Sequence, residues 1–206
     1  MSTGPLAACA AVLLGISCAG PAAWAQHHEH QPAPGAAAPR SESVYEVSAS
    51  LVDQQGRPAS LDLFRGHPVL ISMFYASCPD ACPLLIADIQ RIEMELHPRI
   101  RADVRVVLVS LDPEHDTPEV LQALARARGV DESRWRLLRA PDDTVREIAA
   151  VLGLKYRRLP DGSFNHSSVI TLLDPSGVIA ARVEGIGKPH ADLLRRLGAS
   201  RPVSER

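Results

Sequence analysis

Two cysteines separated by three residues offer the most reactive side chains of this chain. Cys78 and Cys82 stand in the stretch Tyr-Ala-Ser-Cys-Pro-Asp-Ala-Cys-Pro, residues 75–83. At this spacing both sulfurs can lie on one face of a helical turn. Two thiols so placed can form a disulfide, or they can converge on one soft metal ion. The pair therefore indicates redox chemistry, metal binding or a structural cross-link.

The elements around the cysteines favour a functional role over a cross-link alone. An almost continuous apolar run at Val69–Tyr75 predicts a buried strand directly before them. A helix directly after them is predicted from apolar residues at helical spacing: Leu85, Ile89, Ile92 and Leu96. Open α/β sheets bind ligands at the carboxyl ends of their strands, and a helix amino terminus carries a partial positive charge. Both features favour thiolate over thiol at the cysteines.

A metal ion needs more ligands than two sulfurs, and His166 is the candidate for a third. It lies in Phe-Asn-His-Ser-Ser, residues 164–168, a predicted loop that leads directly into an apolar strand at Val169–Leu173. In a thioredoxin-like sheet that loop faces the turn that holds the cysteines. Spacing alone leaves open whether His166 is a ligand.

Two carboxylates follow another predicted strand, Val104–Ser110. Asp112 and Asp116 lie at its carboxyl end, where they could orient His166 or contact a partner. Turn formation and capping are the alternative roles, and we favour capping for Asp116.

The remaining elements alternate between strands and helices. Val104–Ser110 completes a βαβ unit, expected to be parallel and right-handed, and Pro98 marks the end of its helix. Thr117 is predicted to cap a second helix, whose buried stripe consists of Val120, Leu121 and Leu124. A short strand at Trp135–Arg139 and a helix at Asp142–Leu152 follow.

Hairpins are predicted at both ends of the folded region. The first hairpin pairs Val44–Leu51 with Ala59–Leu63, and the second pairs Val169–Leu173 with Val178–Val183. A last helix opens at Pro189. This pattern predicts a thioredoxin-like α/β fold, with a central mixed β-sheet flanked by helices and an N-terminal β-hairpin.

The segment before the folded region has the layout of an export signal. Residues 1–25 lack Asp, Glu, Lys and Arg, and Ala23-Trp24-Ala25 is a small-x-small cleavage pattern. An uncleaved anchor or lipidation at Cys18 is the alternative. Residues 26–43 are rich in Pro, Ala and Gly and are predicted to be a flexible linker. Its histidines His27, His28 and His30 are either a solvated polar terminus or an auxiliary site of metal capture.

Charge excludes one class of partner. The 206 residues contain 22 basic and 24 acidic groups, a formal net charge of −2. A chain so nearly balanced has no electrostatic basis for binding nucleic acid. Membrane association is expected only through an uncleaved or lipidated N-terminal segment.

Three motifs together resemble the Sco/SenC copper-chaperone family. They are FYASCPDACP, VSLDPEHDTP and FNHSSVITLLDPSG, and the resemblance extends over the domain that we place at residues 44–200. It implies a thioredoxin-like fold in which Cys78, Cys82 and His166 bind one copper ion. The family often has Asp before this histidine and Thr-His before the first cysteine. Asn165 and Ala76-Ser77 stand there instead, so the tuning of the site or the choice of partner can differ.

The resemblance implies an exported copper metallochaperone rather than an enzyme. The expected acceptor is cytochrome c oxidase subunit II or another periplasmic copper carrier. Because an oxidising periplasm favours a disulfide between Cys78 and Cys82, a periplasmic thiol reductant is a further expected partner.

A thiol-disulfide oxidoreductase or a thiol peroxidase using the same cysteines is the rival hypothesis, and a redox or copper sensor is a third. Reductases of this fold usually have two residues between their cysteines and a proline in the facing loop. Here three residues separate the cysteines, and the facing loop contains His166. Both features favour metal binding.

Overall fold

The computed structural model describes residues 43–78 and 81–198. The predicted signal segment and the linker with His27, His28 and His30 lie outside the described residues, apart from Ser43. Pro79 and Asp80, between the two cysteines, lie outside them as well. Within the described ranges, no helix has the length and apolar character that a bilayer span requires.

Nine strands and five α-helices form in these two ranges. The strands are β1 (Leu51–Asp53), β2 (Pro58–Ala59), β3 (Val69–Phe74), β4 (Arg105–Ser110), β5 (Trp135–Arg139), β6 (Tyr156–Arg158), β7 (Phe164–His166), β8 (Val169–Leu173) and β9 (Ile179–Glu184). The helices are α1 (Ala81–Glu95), α2 (Pro98–Asp103), α3 (Pro118–Ala127), α4 (Asp142–Val151) and α5 (Ala191–Arg196).

Seven of the strands form one mixed sheet, in the order β2-β1-β5-β4-β3-β8-β9. β3 and β4 are parallel neighbours, as are β4 and β5, so the predicted βαβ unit is confirmed. β8 runs antiparallel to both β3 and β9. Every residue of β3 is buried, and so is all of β4 except its first residue, which is typical of central strands covered on both faces. This is the predicted thioredoxin-like α/β arrangement.

The N-terminal hairpin is present, but it is shorter than the sequence predicted. Only β1 and β2 pair, with Leu51 opposite Ala59, while Val44–Glu46 and Leu61–Phe64 form 3-10 helices. Val44 donates its N–H to the Gly177 carbonyl at 2.9 Å instead of joining a ladder. The apolar residues of the first segment are therefore buried by side-chain packing. Strand pairing over residues 44–50 was a wrong prediction, whereas the pairing of Leu51 with Ala59 is confirmed.

Two helix details also differ from the prediction. Pro98 begins the short helix α2, because proline is well suited to a first helical turn, whereas α1 already ends at Glu95. Thr117 caps α3 as predicted, but Val120 is 41% exposed. Leu121 is buried as predicted and Leu124 packs partly buried against the core, while Ala125, four residues after Leu121 on the same face, takes the buried place expected of Val120.

The stretch predicted as a loop before β8 contains a strand. β6 and β7 pair with each other in a separate two-stranded sheet, in which Tyr156 lies opposite His166 and Arg158 lies opposite Phe164. His166 therefore lies on a hairpin that is not part of the seven-stranded ladder. We call residues 156–166 the histidine hairpin.

Candidate metal centre

The two cysteines lie at the junction between β3 and α1. Cys78 ends the short loop after β3, and Cys82 lies in the first turn of α1; both side chains are buried. The Cys82 N–H donates to Cys78 Sγ at 3.4 Å, and the Tyr75 N–H donates to Cys82 Sγ at 3.5 Å. No disulfide joins the two thiols. The backbone thus directs a hydrogen-bond donor at each sulfur, from the first turn of α1 to Cys78 and from the residue after β3 to Cys82.

Burial decides the protonation state of Cys82. Removal from water raises the pKa of the Cys82 thiol to about 12, and the hydrogen bond from Tyr75 only partly opposes this rise. The sequence predicted that the helix start would favour thiolate. For Cys82 in the metal-free protein that prediction is wrong, because desolvation, together with nearby Cys78, outweighs the hydrogen bond from Tyr75.

His166 is half-buried on β7 and presents a nitrogen suited to a metal. Its Nδ1 lies 3.2 Å from the Ser167 carbonyl oxygen, which can only accept, so Nδ1 carries the proton and Nε2 keeps its lone pair. Burial lowers the pKa of His166, which favours the neutral imidazole. Neutral imidazole is the form that binds metal ions.

Tyr75 connects the histidine with the cysteines. Its ring lies edge-on to the His166 ring, with centroids 5.9 Å apart. Burial, and a hydrogen bond with the Cys78 side chain, raise the pKa of the Tyr75 hydroxyl. Tyr75 therefore contacts His166 through its ring and Cys78 through its hydroxyl. Its position directly before the cysteine loop was a signal that the sequence analysis did not use.

The three predicted ligands surround Tyr75, but they are not yet at a mutual coordinating distance. In the described part of the chain, the group of three potential ligands whose atoms lie within 4.8 Å of one another is Asp112, Glu114 and His115. Cys78, Cys82 and His166 do not form such a group. The structure brings the two thiols together, and Tyr75 contacts both the cysteines and the His166 ring.

The two carboxylates after β4 have different neighbours from those expected. Asp112 is buried, and its side chain lies 2.9 Å from His115 Nδ1 and 3.9 Å from Arg158 on β6, so it contacts the histidine hairpin rather than the His166 ring. Asp116, for which capping was favoured, accepts the N–H of Ala76 at 3.0 Å. Asp116 is thus the carboxylate that contacts the cysteine loop.

Comparison with known proteins places this geometry in a family. The model of the family described as SCO1/SenC matches residues 38–198. A SCO2-like protein of Rickettsia prowazekii is 29% identical over 133 residues, which are 62% of this chain and 63% of that protein. The SCO1 protein homolog of Bacillus subtilis is 26% identical over 155 residues, 73% of this chain and 80% of that protein. The match thus spans less than two thirds of the Rickettsia protein.

Solved structures share the fold. Bradyrhizobium japonicum ScoI with copper bound superposes with a TM-score of 0.62 at 21% identity, covering 73% of this chain and 95% of that one. A SCO1/SenC family lipoprotein of Bacillus anthracis superposes with a TM-score of 0.66 at 22% identity, over 72% of this chain and 90% of that one. BsSco superposes with a TM-score of 0.63 at 24% identity, over 75% of this chain and 92% of that one. BsSco is described as having a disulfide switch and as a member of the Sco family of cytochrome c oxidase assembly proteins. By its match to the family model over residues 38–198, this chain belongs to the SCO1/SenC family.

Proposed function

We propose that this protein is a copper metallochaperone in which Cys78, Cys82 and His166 bind one copper ion. The observation that carries the proposal is a pair of adjacent buried thiols that shares one neighbour, Tyr75, with the neutral imidazole of His166. Family membership supports it, as does the shared fold of a copper-bound ScoI. The residue assignment itself rests on the motifs and on this geometry.

The donor set suits copper in either oxidation state. Thiolate sulfur prefers Cu(I), while imidazole binds both Cu(I) and Cu(II). As each Cu–S bond forms, the thiol proton leaves to solvent. Because His166 lies outside coordinating distance of both sulfurs in the metal-free protein, its imidazole would move toward them to complete the site and away from them to open it. Its departure opens a position for an incoming ligand, so copper passes to the acceptor by stepwise ligand exchange.

The proposed partners and location follow from this chemistry. The acceptor is cytochrome c oxidase subunit II or another periplasmic copper carrier, and a periplasmic thiol reductant keeps Cys78 and Cys82 reduced. Residues 1–25 act as an export signal or retained anchor, which agrees with the likeness to a family lipoprotein. The linker histidines His27, His28 and His30 are proposed as an auxiliary site of copper capture.

Catalysed disulfide exchange or peroxide reduction is the competing activity. It requires a thiolate nucleophile, and burial raises the pKa of Cys82, so Cys78 is the candidate nucleophile for that activity. Metal-free protein that turns over a disulfide or peroxide substrate, with the same rate in His166→Ala, would favour the rival function.

Anaerobic titration of the reduced chain with copper tests the proposal. We expect one tightly bound copper per chain with sulfur-to-copper charge-transfer absorption. Cys78→Ala and Cys82→Ala should remove that absorption, and His166→Ala should weaken binding by about 100-fold or more, since it removes a direct ligand. Competition with a Cu(I) chelator measures the affinity.

His115→Ala distinguishes this site from the neighbouring group of Asp112, Glu114 and His115. The variant should bind copper as the unaltered chain does. If His115→Ala loses the copper while His166→Ala keeps it with an unchanged spectrum, the ligand assignment is wrong.

A further inference from the structure

The histidine hairpin is held to the rest of the protein by side-chain contacts. Its two strands pair only with each other, whereas β3 and β8 on either side of the site belong to the seven-stranded sheet. At its end near His166 the hairpin continues into β8 through Ser167 and Ser168, and Ser168 accepts the Gly185 N–H at 2.8 Å. The sheet therefore limits where this end can lie, while side-chain contacts hold the rest of the hairpin.

Arg158 makes the polar contact between the hairpin and the loop after β4. Its Nη1 donates to Glu114 Oε2 at 2.8 Å, and its Nη2 lies 3.9 Å from Asp112 Oδ1. Glu114 is exposed and Asp112 is buried, so the guanidinium joins a surface carboxylate and an interior one. Both contacts hold β6 against the same loop.

Aromatic rings continue this contact to the cysteines. The Arg158 guanidinium lies over the Phe164 ring, 5.7 Å from its centroid, and Phe164 is its partner across the hairpin. The Phe164 ring packs against Tyr75 with centroids 5.2 Å apart. Tyr75 in turn lies edge-on to His166. One unbroken series of contacts thus joins the loop after β4, the hairpin and the cysteine loop.

We propose that Arg158 is a positioning residue for His166. Through its hydrogen bond to Glu114 and its ion pair with Asp112, it holds the hairpin so that the imidazole stands beside Tyr75. The ion pair is half-exposed and contributes little to stability by itself. Its effect is to narrow the range of hairpin positions, which reduces the entropy lost when His166 closes on the metal.

The effect of Arg158 on copper binding rests on the proposed function. The effect of Arg158 on the position of His166 in metal-free protein is independent of that function. Arg158→Gln should remove the nuclear Overhauser contact between the Tyr75 and His166 rings in metal-free protein, and Arg158→Lys should retain it in part. With copper, Arg158→Gln should lower affinity by about 10-fold and weaken the histidine-nitrogen coupling in the paramagnetic resonance spectrum of the Cu(II) form.

Arg157→Gln is the matched control, since Arg157 is the exposed neighbour on the same strand and carries the same charge. It should change neither measurement. Unchanged amide shifts in β3 and β8 show that each variant is folded.

Two results separate this inference from the proposed function. If unaltered protein binds no copper, the proposed function fails, and the ring contact in metal-free Arg158→Gln still decides the positioning role. If copper binds through His166 and Arg158→Gln matches the unaltered protein in ring contact, affinity and spectrum, the positioning role is overturned. It is also overturned if Arg157→Gln has the same effect as Arg158→Gln.

Discussion

Among the individual residues, Asp116 links the central sheet to the cysteine loop. Its buried carboxylate accepts the Ala76 N–H at 3.0 Å and the Ser110 hydroxyl at 2.5 Å. Ser110 ends β4, and Ala76 belongs to the loop that ends at Cys78. Burial raises the pKa of Asp116 although both hydrogen bonds oppose the rise. The fold thus keeps a carboxylate at the site at a cost in free energy.

This shift predicts a stability difference that depends on pH. Because the pKa of Asp116 in the folded protein lies above the ordinary 3.8, the folded protein binds the proton more readily than the unfolded chain does. The free energy of unfolding therefore falls as pH rises from the unfolded-state pKa through the folded-state pKa. Asp116→Asn keeps an acceptor for Ala76 but lacks this fall. We therefore expect the variant to gain stability relative to the unaltered chain as pH rises from about 4 upward.

Urea unfolding of both proteins at a series of pH values measures the difference. Asp116→Ala is the comparison, since it leaves the Ala76 N–H and the Ser110 hydroxyl without their acceptor and should cost about 2 kcal/mol. If the free energies of unfolding of Asp116→Asn and of the unaltered chain change in parallel with pH, burial does not raise the pKa of Asp116 and the prediction is wrong.

Among the elements, the turn between β8 and β9 holds the N-terminal 3-10 segment. Gly177 accepts the Val44 N–H, and the Ser43 hydroxyl donates to the Ser176 carbonyl at 2.6 Å. Gly177 has a φ of +88°, and a Cβ there would collide with the side chains of Ser43 and Tyr45. The turn therefore requires glycine both for its backbone conformation and for the segment packed on it.

Gly177→Ala and Gly162→Ala separate those two requirements. Gly162 has a similar φ of +84°, and a Cβ added there would meet nothing within 4 Å, so its substitution should cost only the backbone strain, about 1 kcal/mol. Gly177→Ala should cost roughly 2 kcal/mol more, because Tyr45 must also shift. Urea unfolding measures both, and equal losses would show that the packing contact is unimportant.

For the molecule as a whole, the fold and the candidate site lie within one stretch of chain. The family match covers residues 38–198, and every described contact of the site falls inside it. The 206-residue chain carries 8 histidines, of which His27, His28 and His30 precede that stretch. Copper binding at the site should therefore be independent of the linker, and any linker site should be independent of the fold.

Residues 38–198 alone should unfold with a free energy within about 0.5 kcal/mol of the full chain, since the strands and helices of the described ranges all lie within that stretch. This shorter chain should still bind one copper. The full chain should bind additional Cu(II), which replacement of all three linker histidines by Ala abolishes. Isothermal titration of the three proteins tests this, and loss of the first copper on truncation would contradict it.

Short-range patterns along the chain sufficed to predict the local features of this protein. Apolar periodicity placed the buried strands and main helices, and the spacing of Cys78 and Cys82 at a strand-to-helix junction placed the two thiols, because both depend on residues close together in the chain. The motifs also indicated the family, which the family match confirms.

Only the tertiary structure decided what surrounds the thiols. Asp116 reaches Ala76 across 40 positions, and Arg158 reaches Glu114 across 44, so no local pattern could predict these contacts. The protonation of Cys82 depends on burial, which results from the packing of distant segments. Tyr75 stands between the thiols and His166 for the same reason: the hairpin that carries His166 is held by side chains from remote parts of the chain.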